Sequence, residues 1–483
     1  MTKSSTTSMS RRNVLKGAGM ATASAMFWYP SGKVLGANDR INIAVIGIHG
    51  QGGAHIRGFP KIANVFLKTL CDIDENLFGK RIADVEKAQK YKPGTANDMR
   101  RVFDDKDIHA VTFATPNHWH ALGAVRAAQA GKHVYVEKPA CHTVWEGRQM
   151  VNAARANKVL MQVGFQNRSR NNTAAAVKFI RDGKLGKIYR VRGLCYKPRR
   201  NIGNYPDGPM AEGAKLPPMV SNDSAYTAAY LGKVNYDQWM GPTAKRPFNP
   251  NRFHYNWHWQ WEYGGGDTAN QGPHQFDVGA WGLGKDNEYP VEVVSVGGLY
   301  LYKDSAQNTP NEQTSIMTYA DGTVFEFATR GLPTNEEGGM KGEDGVNIGN
   351  IFYGSEGRLE IDAGGNWSTF MGNKGEPGPN SKNIKSEESD ALITVGTGSG
   401  GHYGNFIEAV RQGKQELLTC DIETGFRSSV LPLICNVSYR VGRELKWDGK
   451  REQFKGDGQA NRLLKRNDRK GYVVPKLRNG SAA

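Results

Sequence analysis

The stretch that decides the fold is Ile41-Asn42-Ile43-Ala44-Val45-Ile46-Gly47-Ile48-His49-Gly50-Gln51-Gly52-Gly53. Six mostly apolar residues run straight into a glycine-rich turn, as a buried parallel strand does before a helix. Residues 52–59 can open that helix. A turn that grips a dinucleotide needs glycine to bend sharply, to let the backbone approach a pyrophosphate, and to let helix and strand pack closely. Gly47 and Gly52 have the spacing of the first and third of these glycines. His49 stands where the middle one is usual, and Gly50 partly compensates. By itself the motif reads equally well as a structural turn.

Outward from this turn the strand–helix rhythm continues. Val65 to Cys71 reads as a second strand closed by Asp72-Ile73-Asp74, and Ala110 to Ala114 as another closed by Thr115-Pro116-Asn117. A helix over 120–130 leads to a strand at His133 to Val136, ending in Glu137-Lys138-Pro139. A helix over 143–157 leads to a strand at Leu160 to Gly164. Such alternation predicts a doubly wound parallel sheet, with functional loops at the strand C-termini. Asp72 lies twenty residues past Gly52 at a strand end, where a carboxylate accepts hydrogen bonds from an adenosine ribose and repels a 2′-phosphate. NAD is therefore expected over NADP.

After residue 165 the pattern changes. Runs at 187–195, 291–302, 313–320, 323–329 and 350–362 read as strands joined by turns such as Ala320-Asp321-Gly322-Thr323. The expected fold class is α/β: a doubly wound Rossmann domain over 38–165, then an α+β domain over 166–445 with an open, mainly antiparallel sheet. Residues 363–392 read as an exposed loop, residues 402–412 and 421–441 as helices, and 446–483 as a solvated basic tail.

Length and charge narrow the class. A chain of 483 residues exceeds one ordinary core. Its net charge of +16 invites a nucleic-acid reading, but about +5 falls in residues 1–37 and about +7 from Lys446 onward. The remainder carries no basic stripe interleaved with aromatics, so no nucleic-acid partner is expected. Ser10-Arg11-Arg12-Asn13-Val14-Leu15-Lys16 before a mildly apolar stretch resembles a twin-arginine export motif, and 1–37 reads as its leader. The alternative is a disordered basic N-terminus. The five cysteines form no CxxC pair, so neither a zinc site nor a disulfide framework is indicated. His254, His258 and His274 lack tight metal-ligand spacing, and no metal is expected.

Two further segments carry chemistry. A lysine beside a cationic nicotinamide would have its ammonium form disfavoured, which suits Lys138 to acid–base work; the following proline admits a cis bond. The tripeptide alone is equally a surface turn. Gly264-Gly265-Gly266-Asp267-Thr268-Ala269-Asn270-Gln271-Gly272-Pro273-His274-Gln275-Phe276-Asp277 would set Asn270, His274 and Asp277 on one helical face. Pro273 argues that the helix begins there, which weakens the Asn270 relation. A lone helical histidine is more often structural. The aromatic run Phe253-His254-Tyr255-Asn256-Trp257-His258-Trp259-Gln260-Trp261 can pack on sugar C–H faces or in a core. Tyr196, Lys197 and Arg200 sit at a strand end expected to face the same cleft, with a solvated loop as the alternative.

The combination of glycine turn, Asp72, Thr115-Pro116-Asn117 with His120, Glu137-Lys138-Pro139 and the glycine-rich histidine helix resembles the glucose–fructose oxidoreductase / inositol dehydrogenase / rhizopine-catabolism (Gfo/Idh/MocA) family over residues 40–445, in particular its twin-arginine-exported bacterial branch. The resemblance implies an oxidoreductase acting on a carbohydrate, a periplasmic or envelope location, and a homo-oligomer. It implies a nicotinamide cofactor, NAD with NADP as the alternative, contacted by Gly47, Gly50, Gly52, Asp72, Thr115, Asn117, His120, Glu137, Lys138 and Gln166. It implies Lys138 and His274 as catalytic residues. Tyr196, Lys197, Arg200, Trp257, Trp259, Asn270, His274 and Asp277 are the expected substrate contacts. Asn270 stands where many members carry aspartate. An NAD-dependent glycosidase and a non-catalytic sugar-binding relative are the alternatives.

Overall fold

The computed structural model describes residues 40–214, 225–332, 347–383 and 400–478. The expected leader and its twin-arginine motif lie outside the described residues.

The first sheet is built from β1 (Ile41–Ile46), β2 (Val65–Cys71), β3 (Gly94–Ala96), β4 (Ala110–Phe113), β5 (His133–Glu137) and β6 (Met161–Gly164). All pairs are parallel, in the order β3-β2-β1-β4-β5-β6. Its helices include α1 (Gln51–Gly58), α2 (Asn117–Gln129) and α3 (Val144–Ala156). Successive side chains of β1 feed cores on opposite faces: Ile41, Ile43 and Val45 enter one, Ala44 and Ile46 the other. That is the period-two alternation of a strand buried on both sides, and it explains why the sequence reads as a continuous apolar run. The strand order reverses between β1 and β4, opening a crevice at the strand C-termini.

The second sheet has ten strands: β7 (Ile188–Tyr196), β8 (Glu292–Gly298), β9 (Glu312–Thr318), β10 (Val324–Arg330), β11 (Asn347–Gly354), β12 (Gly357–Asp362), β13 (Trp367–Met371), β14 (Glu376–Asn380), β15 (Leu445–Asp448) and β16 (Gln453–Phe454). Their order is β14-β13-β12-β11-β7-β10-β9-β8-β15-β16, antiparallel except for the β7–β10 pair. The later helices are α4 (Gly266–Asn270), α5 (Gly272–Leu283), α6 (Gly401–Gln412) and α7 (Ile422–Val441). Helix α5 packs on β7, β10 and β11; α7 packs on α5 and β8 and also on α3 and β6, so it ties the two sheets together. Helix α6 returns to the first sheet, placing Phe406, Ile407 and Val410 in the core with Ile41, Ile43 and Val45.

Two sequence expectations fail here. Residues 367–380, expected within an exposed loop, form the hairpin β13–β14. Trp367 anchors it by burying its ring 5.6 Å from Phe179. Pro377 and Pro379 are tolerated because β14 is the sheet's edge strand. The segment after Lys446 is not a solvated tail either. Trp447, Phe454, Leu464, Val474 and Leu477 are buried. Leu477 N donates to Gln149 Oε1 at 2.8 Å, and Asn152 Nδ2 donates to Leu477 O at 3.0 Å, stitching this segment onto α3. These apolar residues are too widely spaced to leave a periodic signal, so the basic residues between them dominate the reading.

Candidate active site

The turn after β1 shows why its glycines are there. Gly47 has φ +81°, and a Cβ on it would lie 2.8 Å from the Ala114 backbone; one on Gly52 would lie 1.9 Å from Gly47 O. Both positions exclude a side chain. Gly50 has open space instead, with no atom within 4 Å of where its Cβ would be, and it precedes α1, which has no side-chain cap. Free N–H groups at a helix start and a bare backbone suit an anionic pyrophosphate. His49 stacks its ring on that of His254, with centroids 4.4 Å apart and planes nearly parallel at 19°. Arg81 clips the turn from behind by donating to the carbonyl oxygens of Ile48 and His49.

Asp72, at the end of β2, accepts from Ile48 N at 2.8 Å and from Asp74 N at 3.0 Å. Burial raises its pKa to about 6, against the lowering effect of those two bonds. Beside it, Asp74 holds His254 Nε2 at 2.8 Å and the Tyr230 hydroxyl at 2.5 Å.

The other end of the crevice is set by the loops after β4, β5 and β6. His120 lies between two of these loops, with Nδ1 2.8 Å from Pro139 O and Nε2 2.9 Å from Thr115 O, and its one N–H donates to one of the two carbonyls. Glu137 Oε1 receives Gln51 at 3.1 Å and His55 and Gln166 at 3.0 Å each. Burial opposes its ionisation, but the bond and charge of His55, the Lys138 charge and the Gln51 bond prevail, holding its pKa at about 2. The Lys138-Pro139 bond is cis. Lys138 Nζ donates to Asn270 O at 2.7 Å. Burial lowers the Lys138 pKa; Glu137 opposes that and Arg199 adds to it. Arg199 in turn pairs with Asp267 at 2.5 Å and donates to the Tyr255 hydroxyl at 3.2 Å. His274 stands in the first turn of α5, which starts afresh after α4 around Pro273. Burial lowers the His274 pKa to about 3, with Lys138 next in effect, and its buried Nδ1 has no hydrogen-bond partner among the described residues.

Asp72, His120, Glu137, Lys138 and His274 line one cleft of about 480 Å³. It brings together Gly47, Gly50, Asp72, Thr115, Asn117, His120, Glu137, Lys138 and Gln166 from the expected cofactor set, and Trp257, Asn270 and His274 from the expected substrate set. Gly52 lies behind the turn. Four observations fit a dinucleotide: the bare Gly50 backbone, the uncapped start of α1, the Asp72 carboxylate, and a buried Thr115 Oγ1 with no partner among the described residues.

Five expected substrate contacts fall elsewhere. Tyr196 is fully buried among Leu194, Ala328 and Ile351, with Arg330 over its ring at 4.7 Å. Arg200 is exposed and Lys197 lies outside the cleft; Arg199 approaches Lys138 instead. A one-residue difference along extended chain reverses which side a side chain faces. Trp259 is 2% exposed beneath the Arg199 guanidinium, 5.2 Å away. Asp277 does not hold His274: it accepts from Arg168 Nε at 2.8 Å and from Ser428 Oγ at 2.7 Å, fully buried. Sequence reasoning also missed Arg199, Asp267, Tyr255 and His258 as a connected group, though all but Arg199 lie in the segments quoted for their aromatics and glycines. Gln238 and Trp239, which also line the cleft, carried no signal at all.

Residues 41–165 match the description "Oxidoreductase family, NAD-binding Rossmann fold", and residues 222–347 and 382–474 match "Oxidoreductase family, C-terminal alpha/beta domain" of the same family. Levoglucosan dehydrogenase of Pseudarthrobacter phenanthrenivorans is 41% identical over 99 residues, covering 20% of this chain and 25% of that protein. A glycosyl hydrolase family 109 protein of Shewanella baltica is 30% identical over 202 residues, covering 37% and 44%. The match thus spans less than half the length of these curated relatives. Among solved structures, levoglucosan dehydrogenase in complex with NADH and levoglucosan superposes with TM-score 0.58 at 18% identity, over 84% of this chain and 99% of that one. The WlbA dehydrogenase from Bordetella pertussis with NADH and UDP-GlcNAcA gives TM-score 0.59 at 19% identity, over 85% and 99%. At these identities the superpositions establish the fold. Taken with the matches along both halves of the sequence, they make the chain a member of the Gfo/Idh/MocA family of oxidoreductases, with an NAD-binding Rossmann fold at residues 41–165.

Proposed function

We propose that this protein is an NAD-dependent oxidoreductase that transfers a hydride between a hydroxyl-bearing carbon of a sugar, glycoside or cyclitol and a tightly held NAD. The observation that carries this reading is the meeting of Lys138 and His274 in one cleft with Asp72 and the bare Gly50 turn. Bound NAD supplies the acceptor for the hydride. The chain supplies the rest. Lys138, held by the Asn270 carbonyl, donates to the substrate oxygen and stabilises alkoxide charge as it develops. His274, kept neutral by burial, takes the hydroxyl proton. Trp257 offers its ring to sugar C–H faces.

Lys138→Met removes the donor without touching the turn or Asp72. The expected result is a loss of hydride transfer of about a hundredfold or more, read by nicotinamide absorbance, with NAD still bound. Near-wild-type turnover would refute the assignment. Aryl glycosides are expected to be oxidised without releasing their aglycone.

The Ser10–Lys16 motif supports export by the twin-arginine route to the periplasm or cell envelope, with NAD loaded before export. Purified protein should then carry nicotinamide absorbance without added cofactor. Val296 on β8 and Ile316 on β9, 64% and 42% exposed, support a homo-oligomer joined through the open sheet, which light scattering tests.

A further inference from the structure

The cleft holds a second imidazole whose tautomer the fold dictates. His258 Nδ1 lies 2.7 Å from the Tyr255 carbonyl oxygen. A carbonyl only accepts, so Nδ1 carries the hydrogen and Nε2 presents a bare lone pair. Among the described residues no group donates to that Nε2. The ring is wedged against Trp257, with centroids 3.6 Å apart and planes at 21°, and against Tyr255 at 4.5 Å. Its backbone packs so closely on Gly264 that a Cβ there would lie 2.8 Å from His258 O. His258 is therefore placed as well as oriented. Burial lowers its pKa to about 3, so it stays a neutral acceptor across the physiological range.

Tyr255 complements it. The phenol oxygen accepts a hydrogen bond from Arg199, whose position is set by Asp267. Having taken that bond, the hydroxyl keeps its own hydrogen to donate. Both side chains line the cleft with Lys138 and His274, and the charges of Lys138 and Arg199 reach His258. A sugar hydroxyl is both donor and acceptor, and the pair offers one partner for each role.

We propose that Tyr255 and His258 form a binding site for a second substrate hydroxyl, in the same cleft as the one oxidised between Lys138 and His274, so that the cleft selects a polyol over an analogue lacking that second hydroxyl. This rests on the sugar-oxidoreductase reading above. A site that hydrogen-bonds a hydroxyl rejects the analogue lacking it, because its own polar groups are left unpaired.

The test uses NADH-loaded full-length protein, which binds sugar without turning it over. Calorimetry would compare methyl glucoside with its 2-, 3- and 4-deoxy derivatives. Wild type should lose about tenfold or more in affinity for one of the deoxy sugars. His258→Phe, which keeps an aromatic ring against Trp257, should bind that deoxy sugar and the parent equally. Tyr255→Phe, nearly isosteric, should narrow the gap in the same way. Nitrogen-15 NMR of the labelled holoenzyme should show His258 protonated at Nδ1 only. A proton on Nε2, or a deoxy penalty unchanged in both variants, would overturn the pair while leaving the sugar reading intact. No binding by wild type of these glucosides, of free hexoses or of inositol would overturn the reading on which the pair rests.

Discussion

Asp72 uses one carboxylate twice, bracing the turn through Ile48 N and the next loop through Asp74 N while facing the cleft. Burial places its pKa at about 6, above the unfolded value of 3.8, so the carboxylate is charged at neutrality and discharges about a unit below it. The sign of the consequence follows. Ribose hydroxyls bind the charged form, so NAD affinity should be full above pH 6 and weaken as pH falls through it, approaching about tenfold per unit. Calorimetric titration of NAD across that range checks this, with Asp72→Asn expected to be weaker throughout and nearly flat with pH. An equally steep fall in the variant would assign the titration to another group. Asp72 and Lys138 were legible in the sequence because a strand end plus a charged side chain is nearly enough to define each role. Arg199 was not. Its neighbour Arg200 has the same chemistry, and only the path of the chain after β7 decides which of the two turns inward.

At the scale of elements, the helix carrying His274 shows where spacing stops being informative. The i, i+3 relation of His274 and Asp277 is real, since both lie on α5. It does not say what approaches that face. Arg168, delivered by the turn after β6, takes Asp277 at 2.8 Å and Asp286 at 2.7 Å, with the guanidinium 6% exposed. Asp277→Ala leaves the buried guanidinium with Asp286 alone and strips the Ser428 hydroxyl of its acceptor, so it should cost about 2–3 kcal/mol of stability. Urea unfolding would measure that loss, and KM for sugar should be unchanged at a temperature where the variant is folded. A raised KM at full stability would return Asp277 to the substrate site. The parallel strands were readable because both faces of each are buried and the apolar runs are unbroken. The hairpin of β13 and β14 was not, because one buried tryptophan holds a segment whose glycines, prolines and polar residues otherwise spell a loop.

Across the whole molecule, buried neutral imidazoles tie separate segments together. His142 Nε2 bonds Gly264 O at 3.0 Å, tying the loop after β5 to the glycine run, and His402 Nε2 bonds Val163 O at 2.9 Å, tying α6 to β6. Burial lowers His142, His258 and His274 to about 3 and His133 and His402 to about 4, all below the ordinary 6.5. A native pKa below the unfolded one means the unfolded chain binds protons that the folded chain refuses. The stability these groups contribute is complete above pH 6.5 and drains away as pH falls toward 4. Each imidazole contributes up to about 1.4 kcal/mol per pH unit in that window, and all five act in the same direction. Glu137, at about 2, adds its loss only at lower pH, as the medium passes from 4.5 to 2. The urea midpoint should therefore fall between pH 6.5 and 5, where Asp72, raised to about 6, opposes the trend by a single group, and His142→Asn, which keeps a donor near Gly264 O but cannot ionise, should reduce the slope by about one histidine's share. A midpoint that holds level until pH 4 would mean these rings are hydrated or already protonated in the native state.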